Sequence, residues 1–269
     1  MANNKIKLIC SDIDHTLLDA SKGQVPQRNI DAVRKALDMG IYFVLNSGRS
    51  YDSMKYYGDI LGLPADGCVC TLGGSLIFEG TNIVDSHVID REIALKIVET
   101  ADEMGLFTHS FCKREWFSTS HDFWYETERK ALMVEGQHYI PMEYFKEHDP
   151  HKLVVLSEDP AKLNRFVDYL KAFANDITVS YSLSSCMEIN PVGVSKGTGI
   201  AFLCGLLGIR QSEVLSVGDY YNDVEMFKVS GFSAAMEDAP NEVKAASTAV
   251  VSSSMECGLA EALEKFVFQ

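Results

Sequence analysis

Short apolar runs alternate with amphipathic stretches along the first eighty or so residues. Lys5 to Ser11 (KIKLICS) is an apolar run of strand length. Between Asn29 and Met39 apolar residues recur at Ile30, Val33, Ala36 and Leu37 before Gly40, which is the spacing of a helix face with a glycine stop. Ile41 to Leu45 (IYFVL) predicts a second buried strand, followed by Asn46-Ser47-Gly48-Arg49 and a helix to about Leu61. Cys68 to Leu72 predicts a third strand, which Gly73-Gly74 turns into Ser75-Leu76-Ile77-Phe78. Strands alternating with helices at this spacing predict a parallel, doubly wound sheet.

After Ile83 the pattern changes. A long helix, Arg91 to Met104, leads into strands at Leu106 to Phe111 and Trp116 to Thr119, whose short connection predicts antiparallel pairing. A helix from about His121 to Glu135, a strand at Lys152 to Ser157, a further helix and two strands (Ile177 to Leu183, Cys186 to Asn190) follow. In that second helix Pro160 suits the first turn, and Leu163, Phe166, Val167, Leu170 and Phe173 form a core stripe. From Lys196 the strand–helix alternation returns and continues to the end. The chain therefore reads as an α/β protein in which 1–82 and 192–269 share one sheet, with 83–191 inserted as an α+β domain on two adjacent linkers.

Composition narrows the function classes. The chain has 269 residues, 46% apolar and 23% charged, and its 24 Lys+Arg against 38 Asp+Glu leave a formal charge of −14. That balance argues against a nucleic-acid partner or an anionic membrane surface, both of which call for Lys and Arg. The N-terminal apolar stretch around Leu8-Ile9-Cys10 is too short for a signal-peptide core or a bilayer span, so a soluble cytoplasmic protein is the expectation. The cysteines at 10, 68, 70, 112, 186, 204 and 257 are scattered without a C-x-x-C pair and read as reduced, structural thiols.

Several local motifs fail on their own chemistry. Gly193-Val194-Ser195-Lys196-Gly197 matches a G-x-S-x-G nucleophile elbow, but the last histidine is His151, so no acid and histidine follow in the order that triad requires. Gly197-Thr198-Gly199 begins a dinucleotide fingerprint and then places Phe202 where a small residue must pack. No G-x-x-x-x-G-K-[ST] stretch is present. What remains is a set of polar residues at the carboxyl ends of predicted parallel strands, where open α/β sheets bind ligands. Asp12 and Asp14 follow the first strand and Ser47-Gly48 the second, while Gly218-Asp219 follows a later one with Asn222-Asp223 just beyond; Lys196 opens the helix between. Singly, each would pass as a turn or cap residue. Their convergence is the signal.

Aspartates brought together repel unless a cation neutralises them, and an all-oxygen donor set suits Mg²⁺. Asp12, taken as ionised at neutral pH, can attack phosphorus without a separate base, giving an acyl-phosphate that water later cleaves. Asp14 can donate a proton to the leaving oxygen and later take one from water. Mg²⁺ and Lys196 would hold the phosphoryl oxygens.

These residues resemble the haloacid dehalogenase superfamily, and within it the Cof-type sugar-phosphate phosphatases that carry an inserted α+β cap on a Rossmann-like core. The resemblance runs through the whole chain and rests on Asp12-Ile13-Asp14-His15-Thr16-Leu17-Leu18, Asn46-Ser47-Gly48-Arg49, Lys196 in Val194-Ser195-Lys196-Gly197, and Gly218-Asp219-Tyr220-Tyr221-Asn222-Asp223. It implies Asp12 as nucleophile and Asp14 as general acid/base. It also implies Mg²⁺ on the Asp12 carboxylate, the Asp14 backbone carbonyl and Asp219, with Asp223 in support, and phosphate contacts from Ser47, Gly48, Lys196 and Asn222. The chain departs from the pattern at His15, where relatives often have glycine, and at Leu72-Gly73-Gly74, where many read Asn-Gly-Ala.

The expectation is a Mg²⁺-dependent hydrolase of small phosphomonoesters, sugar phosphates foremost. A phosphomannomutase-like phosphoryl transferase shares the aspartate pair and a similar cap, and differs in the fate of the acyl-phosphate. A receiver-type signalling domain also phosphorylates an aspartate beside Mg²⁺ and a lysine, but in about half this length and with no inserted domain. A catalytically silent phosphate-binding protein is the remaining alternative. For contacts to the substrate's leaving group, the insert offers His109, Arg114, Trp116 and Tyr181.

Overall fold

The computed structural model describes residues 6–119, 123–132, 135–138 and 141–269. The chain opens with β1 (Leu8–Ser11), α1 (Gln27–Asp38), β2 (Tyr42–Leu45), α2 (Tyr51–Leu61), β3 (Cys68–Thr71), β4 (Leu76–Glu79) and β5 (Asn82–Ser86). The middle third holds α3 (Arg91–Glu103), β6 (Phe107–Cys112), β7 (Glu115–Ser118), α4 (Phe123–Leu132), β8 (Gln137–His138), α5 (Pro141–Tyr144), β9 (Lys152–Leu156), α6 (Pro160–Leu170), β10 (Ile177–Leu183) and β11 (Cys186–Pro191). It closes with α7 (Lys196–Leu207), β12 (Val214–Gly218), α8 (Val224–Val229), β13 (Phe232–Met236), α9 (Asn241–Ala246), β14 (Ala249–Val251) and α10 (Gly258–Phe266). The expected helix from His121 to Glu135 is represented by α4; residues 121–122 and 133–134 lie outside the described residues.

A five-stranded parallel sheet runs in the order β14-β13-β12-β1-β2. β1 is buried at all four positions, as a strand covered on both faces must be. The chain leaves β1 toward β2 on one side, and β12 to β14 lie on the other, so the order reverses at β1. The carboxyl ends of β12, β1 and β2 are thereby neighbours at a topological switch point, which is what assembles the site. α7 enters there, with Ser195 capping its first turn in a reciprocal pair with Thr198.

Cys68 to Leu72, expected as a third parallel strand, behaves differently. β3 touches the parallel sheet through one isolated bridge, Asn46 to Cys70, and hydrogen-bonds chiefly to β4 in an antiparallel meander with β5. The reason is the turn: Leu72 to Gly74 reverses the chain at once, and so tight a connection permits only antiparallel pairing. β5 extends this meander past residue 82, where the sequence placed the domain boundary. Within the insert a six-stranded sheet runs β10-β11-β9-β6-β7-β8, antiparallel except for the β7–β8 pair. Leu163, Phe166 and Leu170 of α6 are buried against it, with Val167 and Phe173 at the margin, as the stripe predicts. Among the described residues no helix is long and apolar enough to cross a membrane.

Candidate active site

At the switch point Lys196 Nζ lies 3.0 Å from Asp12 Oδ1 and 2.6 Å from Asp223 Oδ1. Asp223 Oδ2 accepts the backbone N–H of Asp219 (2.8 Å) and of Tyr220 (3.0 Å), which folds its side chain back over Gly218. A Cβ at position 218 would stand 2.4 Å from Asp223 Cγ, so this close approach requires glycine. Asp219 Oδ1 accepts from Thr16 Oγ1 at 2.8 Å. Carboxylate oxygens of Asp12, Asp219 and Asp223 lie within 4.8 Å of one another.

The electrostatics follow from that crowding. Burial pushes the Asp12 carboxyl up to about 7; Lys196 opposes the shift, while Asp223 and Asp14 add to it. Asp219 is driven well above the usual carboxylate range by burial and by its neighbours Asp223 and Asp12. Burial works against the Lys196 charge, yet Asp12 and Asp223 outweigh it and hold the ammonium ionised. One lysine thus faces three buried carboxylates, and the surplus negative charge, offered by oxygen atoms, fits a hard divalent cation. Asn222 Oδ1, buried and without a hydrogen-bond partner, lines the same cavity. Burial thus holds Asp12, expected as ionised at neutral pH, at the edge of ionisation, with the Lys196 ammonium beside it working in favour of the charge.

Asp14 points elsewhere. Its carboxylate is held by Arg49 through two parallel bonds, and although burial raises its pKa, the Arg49 hydrogen bonds and charge lower it on balance. Ser47, buried, and Gly48, half-buried, form the loop after β2, with Ser47 donating its N–H to the Cys70 carbonyl oxygen at 3.0 Å. Asp12, Asp14, Ser47, Gly48, Lys196, Asp219 and Asn222 all border one cavity of about 230 Å³ roofed by the insert. Asp223 sits beneath its floor, with no exposed surface.

The expected contacts from the insert are largely misplaced. His109 and Trp116 are fully buried, packed edge to face at 5.2 Å, because β6 and β7 lie inside the insert's sheet with that face covered. Arg114 reaches out of the β6–β7 turn to pair with Asp52 and to cover the Tyr51 ring at 4.7 Å, outside the cavity. Tyr181 lines a second cleft of about 600 Å³, which shares Glu188, Lys196 and Asn222 with the first.

Other residues take those places. Lys152 and Glu188 form a buried ion pair of 2.7 Å in the roof, and Lys152 Nζ also donates to the Gly48 carbonyl oxygen at 3.1 Å. A Cβ at position 48 would meet both side chains at 2.8 Å, so the roof rests on this glycine. Glu128 on α4 completes the group, its carboxyl pushed up to about 7 by burial despite Lys152 and Arg49 nearby. One charged residue in each of two otherwise uncharged strands is the visible sequence signal for Lys152 and Glu188. Nothing in the sequence alone pairs Arg49 with Asp14. His15 adopts a φ of 55°, the left-handed region that glycine enters without strain.

Comparison with known proteins agrees with this geometry. The family model of haloacid dehalogenase-like hydrolases matches residues 9–263. A 5-amino-6-(5-phospho-D-ribitylamino)uracil phosphatase of Bacillus subtilis is 24% identical over 97% of this chain and 98% of its own. A haloacid dehalogenase-like hydrolase from Bacteroides thetaiotaomicron superposes with a TM-score of 0.86 at 25% identity, covering 97% of this chain and 99% of that one. A HAD subclass IIB sugar phosphatase shares the fold with a TM-score of 0.84 at 19% identity, over 97% and 98% of the two chains. With the four motifs gathered at one switch point and the family model spanning nearly its full length, the chain belongs to the haloacid dehalogenase-like hydrolases.

Proposed function

We propose that this chain is a Mg²⁺-dependent phosphomonoester hydrolase that acts on small phosphorylated metabolites through an aspartyl-phosphate on Asp12, with residues 83–191 serving as a cap over the site. The observation that carries the reading is the Asp12–Lys196–Asp223 chain of contacts beside Asp219, at the joined ends of β1 and β12. Asp12 and Asp219, with the Asp14 backbone carbonyl, would hold the cation; bound there, it would keep Asp12 ionised and neutralise phosphoryl oxygens. An Asp12 oxygen forms the bond to phosphorus as the ester P–O bond breaks, and Lys196 shields the two like charges from each other. Asp14 supplies the proton to the leaving oxygen, then removes one from the water that cleaves the acyl-phosphate at phosphorus. Ser47, Gly48 and Asn222, which line the cavity, would contact the transferred phosphoryl group.

Arg49 keeps Asp14 ionised in this arrangement, so taking up a proton requires Asp14 to leave the guanidinium. The same arginine donates to the Ala131 carbonyl oxygen on α4, which ties that release to the position of the cap. The test is phosphate release from a panel of phosphomonoesters with Mg²⁺, before and after chelation. Metal-dependent, restorable release supports the reading. Bisphosphate-dependent isomerisation without net release would mark a mutase instead, and no turnover on any ester would refute both.

A further inference from the structure

Arg49 is shared between the core and the insert. Its guanidinium holds both oxygens of Asp14, lies over the Tyr57 ring at 5.3 Å and donates to the Ala131 carbonyl oxygen on α4. Glu128 stands three residues before Ala131 on that helix, so the two are neighbours on one helix face, about 4.5 Å apart along the axis. Asp14, Arg49, Glu128 and Ala131 border the same cavity. Arg49 therefore lies in the field of two carboxyl groups, Asp14 from the core and Glu128 from the insert.

The two carboxyl groups are in opposite situations. Glu128, half-buried, accepts no hydrogen bond and closes no ion pair among the described residues. Lys152 and Arg49 are the cations that act on it, and Lys152 is already engaged by Glu188 and the Gly48 carbonyl oxygen. Arg49 is the cation left for Glu128 to gain. Burial meanwhile pushes the Glu128 carboxyl up, with Asp14 and Glu188 adding to the shift, so the group can stand in the wall without a partner. Asp14 is the reverse case: Arg49 holds it ionised, and it can serve the leaving oxygen only once that pair opens. Opening the pair with nothing to receive the buried guanidinium would strand a charge.

Resting on the phosphatase reading above, we propose that Glu128 is a positioning residue that takes Arg49 over from Asp14 while a phosphomonoester occupies the cavity. The guanidinium passes from a core carboxylate to one on the insert, and Asp14 is released for the proton transfers assigned to it. In both positions the buried cation has a carboxylate partner, and the Tyr57 ring and the Ala131 carbonyl oxygen keep it within reach of each. Proton transfer at Asp14 is thereby tied to the presence of α4, which the core by itself does not supply.

The experiment is a double-mutant cycle on the full chain with Mg²⁺. It uses the faster of ribose 5-phosphate and glycerol 3-phosphate, whose leaving oxygen needs a proton, and p-nitrophenyl phosphate, whose leaving oxygen does not. Glu128→Gln keeps the size and removes the charge. It should lower kcat on the alkyl ester about tenfold or more with KM within about threefold, and lower kcat on the aryl ester by about threefold or less. Glu128→Asp, which restores a carboxylate on a shorter stem, should recover part of the alkyl loss. In an Arg49→Met background the further change Glu128→Gln should lower the alkyl rate by about twofold or less, because no guanidinium remains to be handed over. Losses that multiply in the double variant, equal losses on both esters, no loss on either, or a raised KM with kcat unchanged would each overturn the inference, the last by making Glu128 a contact to the leaving group. Metal-dependent release by the wild type leaves the phosphatase reading standing in all of those cases. Release from the aryl ester alone would also overturn the inference and keep that reading, whereas no release from any of the three esters overturns both.

Discussion

Arg49 grips both carboxylate oxygens of Asp14, with Nη2 2.7 Å from Oδ1 and Nε 2.8 Å from Oδ2. Its Nη1 meanwhile donates to Ser53 Oγ at 3.0 Å and to the Ala131 carbonyl oxygen of α4. A single guanidinium thus joins the proposed acid/base to the helix that walls the cavity. Replacing it with methionine keeps the length and removes every donor. Arg49→Met should lower kcat about tenfold or more for alkyl phosphates, whose leaving oxygen needs a proton, and less for an activated aryl phosphate. Steady-state kinetics on the two substrate types decide it: equal losses would take the positioning role away from Arg49.

Asp12→Asn should reduce turnover below roughly one part in a thousand of wild type while leaving the circular dichroism spectrum unchanged, because the amide is nearly isosteric and Lys196 retains Asp223 at 2.6 Å. The metal supplies a second readout. Mg²⁺ binding to the folded chain raises its Tm by mass action, and that increment should shrink in the variant, which has lost one of the carboxylates around the cation. A full Mg²⁺ increment in Asp12→Asn would remove Asp12 from the ligand set.

The Lys152–Glu188 pair is buried on both sides, so removing one partner strands a charge. Lys152→Met should destabilise the chain by about 3 to 5 kcal/mol in urea denaturation, and the double change Lys152→Met with Glu188→Met should recover most of that loss. Activity should not return with stability, since the Gly48 carbonyl oxygen would still lack its donor. Recovery of both would mean that the pair serves only the packing of the insert.

His151 should make stability depend on pH. Its Nε2 lies 3.1 Å from Ser86 Oγ and its Nδ1 accepts the Lys113 N–H at 3.2 Å, fastening the end of β5 to the β6–β7 turn. Burial, with Lys113 and His87 adding to it, pushes its pKa from 6.5 down to about 4. Between those values the unfolded chain binds a proton that the folded chain refuses, so stability is fully present above 6.5 and declines as pH falls toward 4. Denaturation midpoints of wild type and His151→Gln should converge as pH drops through that window. Parallel curves would show that His151 does not titrate on unfolding.

How much of this was legible beforehand differs between the two halves of the molecule. The parallel core could be read because each of its strands is short, apolar and followed by an amphipathic helix, and because ligand groups fall at the strand ends whatever the order of the strands. Asp12, Asp14, Ser47 and Asp219 are singled out by that rule, and Lys196 by its place at the start of the helix between. The third strand was misjudged because residue pattern reports burial, not partners: Cys68 to Thr71 is buried either way, and the turn at Leu72 to Gly74 decides that it pairs with β4.

The roof was the part beyond reach. His109, Arg114, Trp116 and Tyr181 were named for their chemistry, yet His109 and Trp116, on the same face as Lys152 and Val154, are withheld from the cavity because Tyr125 of α4 packs against Trp116, and which face looks onto Asp12 at all depends on how that sheet is laid over the core. Strand alternation says only that residues two apart share a face, so Lys152, Val154 and Leu156 had to stand together, but not that theirs is the face over the site. By itself the sequence determined most of the elements, the residues that gather at the switch point and the family, because these rest on local pattern and on motif order along the chain. The tertiary structure alone decided the pairing of Arg49 with Asp14, the seat of Lys152 on Gly48, and the approach of Glu128 to Arg49. The first joins loops that follow two neighbouring strands of the core sheet, and the other two cross an interface whose geometry is set by the packing of two separate sheets.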